Sequence, residues 1–169
     1  MQQTAAIPHV TTCAELPAGA MQNLLGRYAM QVVPVADDAA IPGSFWGDAE
    51  AGLVANKLYV RGDTPVHSAL HEACHYICMD ARRRATLDTD AGGHYDEENG
   101  VCYLQILLAD FLPQMDRQRM MQDMDSWGYS FRLGSARRWF EQDAADAAAW
   151  LQQYDLIDPQ HQPTWKLRT

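Results

Sequence analysis

The clearest hydrophobic pattern in the chain lies between residues 65 and 80, in the sequence PVHSALHEACHYICMD. Its apolar residues recur at intervals of three and four, the spacing that places them on one face of an α-helix. They are Val66, Ala69, Leu70, Ala73, Cys74, Ile77 and Cys78. Asp63 or Thr64 can cap the start of this helix, and Pro65 suits its first position. The pattern therefore predicts a helix over residues 65–80.

The rest of the pattern predicts a small sheet before this helix and further helices after it. Strand-like runs rich in β-branched and alternating apolar residues occupy 28–35 and 53–61. The other helices are expected over residues 21–29, 97–112, 113–124 and 136–154. Strands that come before most of the helices favour an α+β fold over a doubly wound parallel sheet.

The length of 169 residues favours a single domain over 1–169, large enough to bury a core without disulfides or a structural metal. Residues 1–20 look irregular, and a polar loop rich in Asp and Gly occupies 87–96. The last residues, 158–169, are expected to form a loose tail.

Composition removes several classes of function. The formal net charge is −9, so a basic groove for nucleic acid is not expected. The first residues show no pattern of a secretory signal, and no apolar run reaches the roughly 18 residues that a bilayer span needs. We therefore expect a cytoplasmic protein without membrane contact. In that compartment the four cysteines are expected to be free and mostly buried thiols, at Cys13, Cys74, Cys78 and Cys102.

Within the predicted helix, residues 71–75 read HEACH. His71 and His75 are four residues apart, so their imidazoles lie on the same helix face and can bind one Zn²⁺. Glu72 lies at the edge of that face, where it can accept a proton from a water molecule that the metal activates. An HExxH sequence within a well-capped helix that follows a strand predicts a catalytic zinc site.

A catalytic zinc site needs a third protein ligand, and Glu97 and Glu98 open the next predicted helix. HEACH followed by residues 97–108, EENGVCYLQILL, resembles the zincin metallopeptidases in their glutamate-ligand branch, the gluzincins. In short bacterial members that helix reads Glu, two residues, a small residue, two residues, then an aromatic and an apolar residue. Counting from Glu97 places Gly100 and Tyr103 in this frame, whereas Glu98 fits it less well. The resemblance covers residues 53–112.

Helix geometry modestly favours the same choice. Glu97 shares a stripe with apolar residues expected to face the core and the first helix, namely Val101, Leu104 and Leu108. Glu98 shares a face with Cys102 and Gln105. Glu97 is therefore the preferred third ligand and Glu98 the alternative, and the other glutamate could orient a zinc-bound histidine.

The resemblance implies a zinc-dependent metallopeptidase that acts on a peptide or protein substrate. It also implies a small zincin-like domain, in which a short N-terminal sheet precedes the HExxH helix, the glutamate helix and C-terminal helices. The strand at 53–61 would border the cleft and pair with an extended peptide. His94 and Tyr95 are candidates for stabilising the oxyanion, although a polar loop is also commonly just solvated.

Two other classes of function remain open at this point. The chain could be a catalytically inactive zincin-like scaffold that binds a protein or peptide, or a thiol-based sensor that uses Cys74 and Cys78. His67 shares the stripe of His71 and His75, and it is either a polar residue of the first turn or part of a cleft. The sequence identifies neither the substrate nor the oligomeric state.

Overall fold

The computed structural model describes residues 9–44, 49–87 and 93–169, and it has the α+β class that the sequence predicts. The described helices are α1 (Ala20–Leu25), α2 (Val66–Cys78), α3 (Ala81–Ala85), α4 (Tyr95–Ala109), α5 (Arg117–Trp127), α6 (Ala136–Gln142) and α7 (Ala145–Gln153). The described strands are β1 (Gln31–Val35), β2 (Gly52–Val54) and β3 (Lys57–Arg61). Short 3₁₀ turns occupy Cys13–Glu15 and Gly26–Tyr28.

The three strands form one sheet in the order β1-β3-β2, with β1 parallel and β2 antiparallel to β3. The predicted strand over 53–61 is a hairpin, because the chain reverses at Ala55, which has a positive φ of 53°. Most of the predicted strand is thus the central strand β3, which has a neighbour on each side. The outer strand β2 is itself approached closely, since a Cβ at Gly52 would lie 1.8 Å from the Pro42 carbonyl oxygen. The expected pairing of a peptide with this strand therefore has no support in the sheet topology.

Helix α2 packs against β2 and β3 on one side and against α4 on another. It begins at Val66, with Pro65 as its N-cap, close to the predicted start. The Thr64 hydroxyl accepts a hydrogen bond from the Arg61 backbone instead of capping the helix. Most of α2 is buried, because its apolar face meets the sheet while its remaining faces meet other helices. The HExxH helix is therefore a central element of the fold.

Helix α4 lies between α2, α5 and α7. From Gly100 to Ala109 all of its residues are buried, whichever way they project. At Gly100 the neighbouring helix comes so near that a Cβ would lie 2.7 Å from Cε3 of the Trp150 ring on α7. The glycine therefore permits a close approach of two helices, which outweighs its low helix propensity.

The predicted long final helix is divided in two. Ser135 caps α6 as expected, but the chain leaves helical geometry at Asp143, where φ is −137°. The break lets α6 pack against α5 while α7 packs against α4. The predicted helix over 113–124 also differs, because it begins at Arg117 after the Asp116 cap and runs to Trp127.

The C-terminal residues are docked, contrary to the predicted loose tail at 158–169. The Thr164 backbone donates to the Leu156 carbonyl oxygen, and the Trp165 ring lies 5.5 Å from the Tyr28 ring. At the other end of the chain, the Cys13 backbone donates to the Thr64 carbonyl oxygen just before α2. Residues 1–8 of the predicted irregular N-terminus and 88–92 of the predicted loop lie outside the described ranges. Among the described residues, no helix has the length and apolar character to cross a bilayer.

Candidate metal centre

The side chains of His71, His75 and Glu98 converge between α2 and α4. The two imidazole Nε2 atoms are 3.2 Å apart. One oxygen of Glu98 lies 3.1 Å from Nε2 of His71, and its other oxygen lies 3.2 Å from Nε2 of His75. The group is only partly covered, since the Glu98 side chain is 46% exposed. Three potential metal ligands thus meet at a place that solvent can reach.

Gln105 fixes the protonation pattern of His71. Its side-chain nitrogen donates to the His67 carbonyl oxygen at 2.9 Å, so its Oε1 must be the atom that faces His71. That oxygen lies 2.9 Å from His71 Nδ1, which therefore carries a proton and donates it. In the neutral ring, Nε2 is then an unprotonated nitrogen that points toward His75 and Glu98. This is the tautomer that a metal-binding histidine requires.

The spacing of the three donors fits a zinc ion. Tetrahedral zinc with ligands at about 2.0–2.1 Å has its ligand atoms roughly 3.3 Å from one another. The observed separations of 3.1–3.2 Å are close to that value. Two imidazole lone pairs and a carboxylate would repel one another unless a proton or a cation lay among them. Two nitrogens and one carboxylate oxygen are also a donor set that suits Zn²⁺.

The close contact of Glu98 with the two histidines shifts the pKa values of Glu98 and His71. Burial alone would raise the pKa of Glu98, but hydrogen bonds with His71 and His75 bring that pKa well below its usual value. Burial would likewise lower the pKa of His71, whereas Tyr129, Cys102 and Glu98 raise it above the usual range. The carboxylate therefore stays ionised and draws positive charge into the centre.

The structure places Glu98, the alternative ligand, beside the histidines, and not Glu97, which the sequence favoured. The Glu97 side chain is buried and points away, toward Arg83 and Arg168. Sequence reasoning chose the apolar stripe of α4 as the face that meets α2. Because α4 is buried on all sides from Gly100 onward, an apolar stripe does not identify that face. The polar residues Glu98 and Gln105, seven apart on one face, were the better signal.

Glu72 is half-buried next to this centre. Burial raises the pKa of its carboxyl, with Glu50 and Glu98 adding to the increase and His75 and His71 opposing it. A carboxylate whose pKa is shifted upward is a better proton acceptor near neutral pH than an ordinary glutamate. The placement of Glu72 is thus compatible with the role of general base that the sequence suggests.

Tyr129 is a site residue that sequence reasoning missed. Its ring stands edge-on to the His71 ring with centroids 5.6 Å apart, and its hydroxyl lies 3.2 Å from Nδ1 of His67. It comes from the irregular segment after α5, where no sequence pattern indicates a direction. By contrast, His94 and Tyr95 lie at the exposed start of α4, and Tyr95 is 78% exposed. The Tyr129 ring therefore lies against the centre, whereas Tyr95 lies at the surface.

His67 is buried, with an exposure of 1%, and packs against the Trp127 ring at a centroid distance of 4.9 Å. Its Nε2 atom has no hydrogen-bond partner among the described residues. Burial, together with the charge of His71, lowers the pKa of His67 to about 3, so this histidine is neutral at physiological pH. Its carbonyl oxygen accepts a hydrogen bond from Gln105, the residue that also binds His71.

The cysteines are free thiols, as expected, and Cys74, Cys78 and Cys102 are buried. Burial raises the pKa of Cys74 and of Cys78 well above the usual value. A buried thiol that stays protonated is a poor nucleophile, which argues against the thiol-sensor hypothesis.

Comparisons of the chain with protein-family models, with curated proteins and with solved structures found no significant match.

Proposed function

We propose that this chain is a zinc-dependent metallopeptidase whose metal is held by His71, His75 and Glu98. The observation that carries the proposal is the spacing of three donor atoms on α2 and α4, which fits tetrahedral zinc. The hydrogen bond from His71 to Gln105 supports it, because it places the proton of the neutral ring on Nδ1 and leaves Nε2 free to bind a metal. The zincin-like fold is part of this proposal and rests on the HEACH helix followed by the glutamate helix.

Each residue of the centre has a distinct role in hydrolysis. Zinc, when bound, would polarise the carbonyl group of the substrate and lower the pKa of a water molecule. Glu72 accepts a proton from the attacking water and later delivers it to the leaving amine. The Tyr129 ring contacts His71, and its hydroxyl, 3.2 Å from Nδ1 of His67, would donate a hydrogen bond to the oxyanion that forms on the substrate.

Peptide hydrolysis, rather than hydrolysis of another bond, rests on the resemblance of the two motifs to the gluzincins. The inactive-scaffold hypothesis uses the same three ligands but gives Glu72 no chemical role. Metal binding and the effect of Glu72 therefore need separate measurements.

The first experiment measures zinc per chain by elemental analysis after reconstitution with Zn²⁺ and desalting. We expect about one zinc in wild type and in Glu72→Gln, and none in Glu98→Ala. Glu141→Ala removes a glutamate from the exposed face of α6 and should leave the zinc content unchanged. Wild-type protein that holds no zinc would refute the proposal.

The second experiment incubates the zinc-loaded proteins with a complex peptide library and identifies new termini by mass spectrometry. Wild type should cleave peptides, whereas Glu72→Gln should lose at least about 100-fold of that activity while keeping its metal. If wild type binds zinc but cleaves no more than Glu72→Gln, the inactive scaffold becomes the better interpretation.

A further inference from the structure

The C-terminal strap, residues 163–169, follows α7 along the chain and ends beside α2, the helix that carries His71 and His75. Its Trp165 ring lies 5.0 Å from the Phe111 ring, and the Arg27 guanidinium stands 4.2 Å from the Trp165 centroid. These contacts anchor the strap at Trp165, three residues before Arg168. Arg168 therefore reaches the interior from a fixed backbone, and its side chain is only 16% exposed.

Arg168 binds the end of α2 that carries His75. Its backbone nitrogen donates to the Ile77 carbonyl oxygen at 3.0 Å, and its guanidinium donates to the Cys78 carbonyl oxygen at 3.2 Å. The last carbonyl groups of a helix have no partners within that helix, so these bonds satisfy two of them. The strap thus holds the C-terminal turn of the HExxH helix.

The same guanidinium also binds the start of α4. Its Nη1 atom donates to Oε1 of Glu97 at 3.0 Å. Arg83 grips the same carboxylate with both terminal nitrogens, at 3.0 Å and 2.6 Å. Glu97 is only 3% exposed, so its buried negative charge needs the two arginines as partners in place of water. Arg168 therefore joins the two helices that carry the metal ligands.

This arrangement bears directly on Glu98. Neighbouring residues on a helix project about 100° apart, so a fixed Glu97 determines the direction in which Glu98 leaves α4. With Glu97 held toward the strap, Glu98 faces His71 and His75 at 3.1–3.2 Å. Loss of the Arg168 contact would free the first turn of α4 and the last turn of α2 to separate.

We propose that Arg168, acting through Glu97, is a positioning residue that sets Glu98 against the two histidines, so that the C-terminal strap completes the metal site. This inference rests on the proposed zinc site. It assigns to the strap a role in metal affinity rather than in stability alone.

The test measures the Kd for Zn²⁺ by competition with a chromophoric chelator. Arg168→Gln removes the guanidinium and should raise the Kd at least about tenfold, as substitutions behind a metal ligand commonly do. Lys166→Gln is the matched control, because Lys166 lies in the same strap but pairs with Asp155 at the surface, where both side chains are 64% exposed. We expect its Kd to match that of wild type.

Circular dichroism and the unfolding midpoint of the zinc-free protein separate affinity from folding. Should Arg168→Gln fail to fold, Arg83→Gln tests the same proposal, because it removes the other guanidinium that binds the Glu97 carboxylate. In the Glu97→Gln background, adding Arg168→Gln should change the Kd little further, because the two residues act as one unit.

Folded arginine variants with the wild-type Kd would overturn the positioning role while leaving the zinc site intact. A full additional loss in the Glu97→Gln background would also overturn it, since Arg168 would then act independently of Glu97. Wild-type protein without measurable zinc affinity would instead refute the proposed function, and this inference with it.

Discussion

Two adjacent glutamates have opposite surroundings in this protein. Glu97 is enclosed by two arginines, whereas Glu98 faces two histidines and is partly open to solvent. A carboxylate already neutralised by two guanidinium groups is a poor ligand for a cation, because binding would break several charge-assisted hydrogen bonds. The chemistry of each residue is thus decided by its partners rather than by its type.

At the same scale, Gln105 connects the centre to the backbone of α2. We predict that Gln105→Leu weakens zinc binding by about tenfold, because the His71 ring loses the acceptor that fixes its orientation and tautomer. Competition with a chelator gives the Kd. Gln122→Leu, at an exposed position of α5, is the control and should have no effect. Equal affinities of wild type and Gln105→Leu would exclude this role of Gln105.

At the scale of elements, α4 shows how packing overrides propensity. Glycine is unfavourable within a helix, yet Gly100 faces the Trp150 ring so closely that a Cβ would lie 2.7 Å from it. A helix enclosed on several sides is shaped by its neighbours, and each contact restricts the size of the residue that can occupy it.

We predict that Gly100→Ala destabilises the protein by about 1 kcal/mol or more, although alanine raises helix propensity by nearly that amount. The added methyl group would overlap the Trp150 ring, and overpacking commonly costs about 1–3 kcal/mol. Urea unfolding measures the change. In a Trp150→Leu background the same substitution should be neutral or stabilising, because the overlapping ring is gone. A stabilising effect of Gly100→Ala in the wild-type background would contradict the prediction and show that α4 and α7 separate easily.

At the scale of the whole molecule, burial of neutral His67 links global stability to pH. Its pKa is about 3 in the folded protein and near 6.5 when exposed. Since the unfolded state binds the proton more readily, the contribution of His67 is complete above pH 6.5 and decreases as the pH falls toward 3.

We therefore predict that wild type loses about 1.4 kcal/mol more stability than His67→Phe between pH 7.5 and pH 5.5. Phenylalanine keeps the ring but cannot be protonated. Urea unfolding of both zinc-free proteins at the two pH values gives the difference, in which the titration of other groups largely cancels. An identical pH dependence in the two proteins would mean that His67 takes up its proton over the same pH range in the folded and unfolded states, which would contradict the lowered pKa.

The sequence by itself determined the α+β class, the HExxH helix and the relation between His71 and His75, because these depend on periodicities within one helix. The tertiary structure decided which glutamate faces them, since α4 is apolar on several sides and its rotation follows from its packing against α2, α5 and α7. It also decided the placement of Gln105, Tyr129 and Arg168, which lie 34, 58 and 97 residues after His71. Contacts over such separations depend on how elements pack, and packing leaves no local period in the chain.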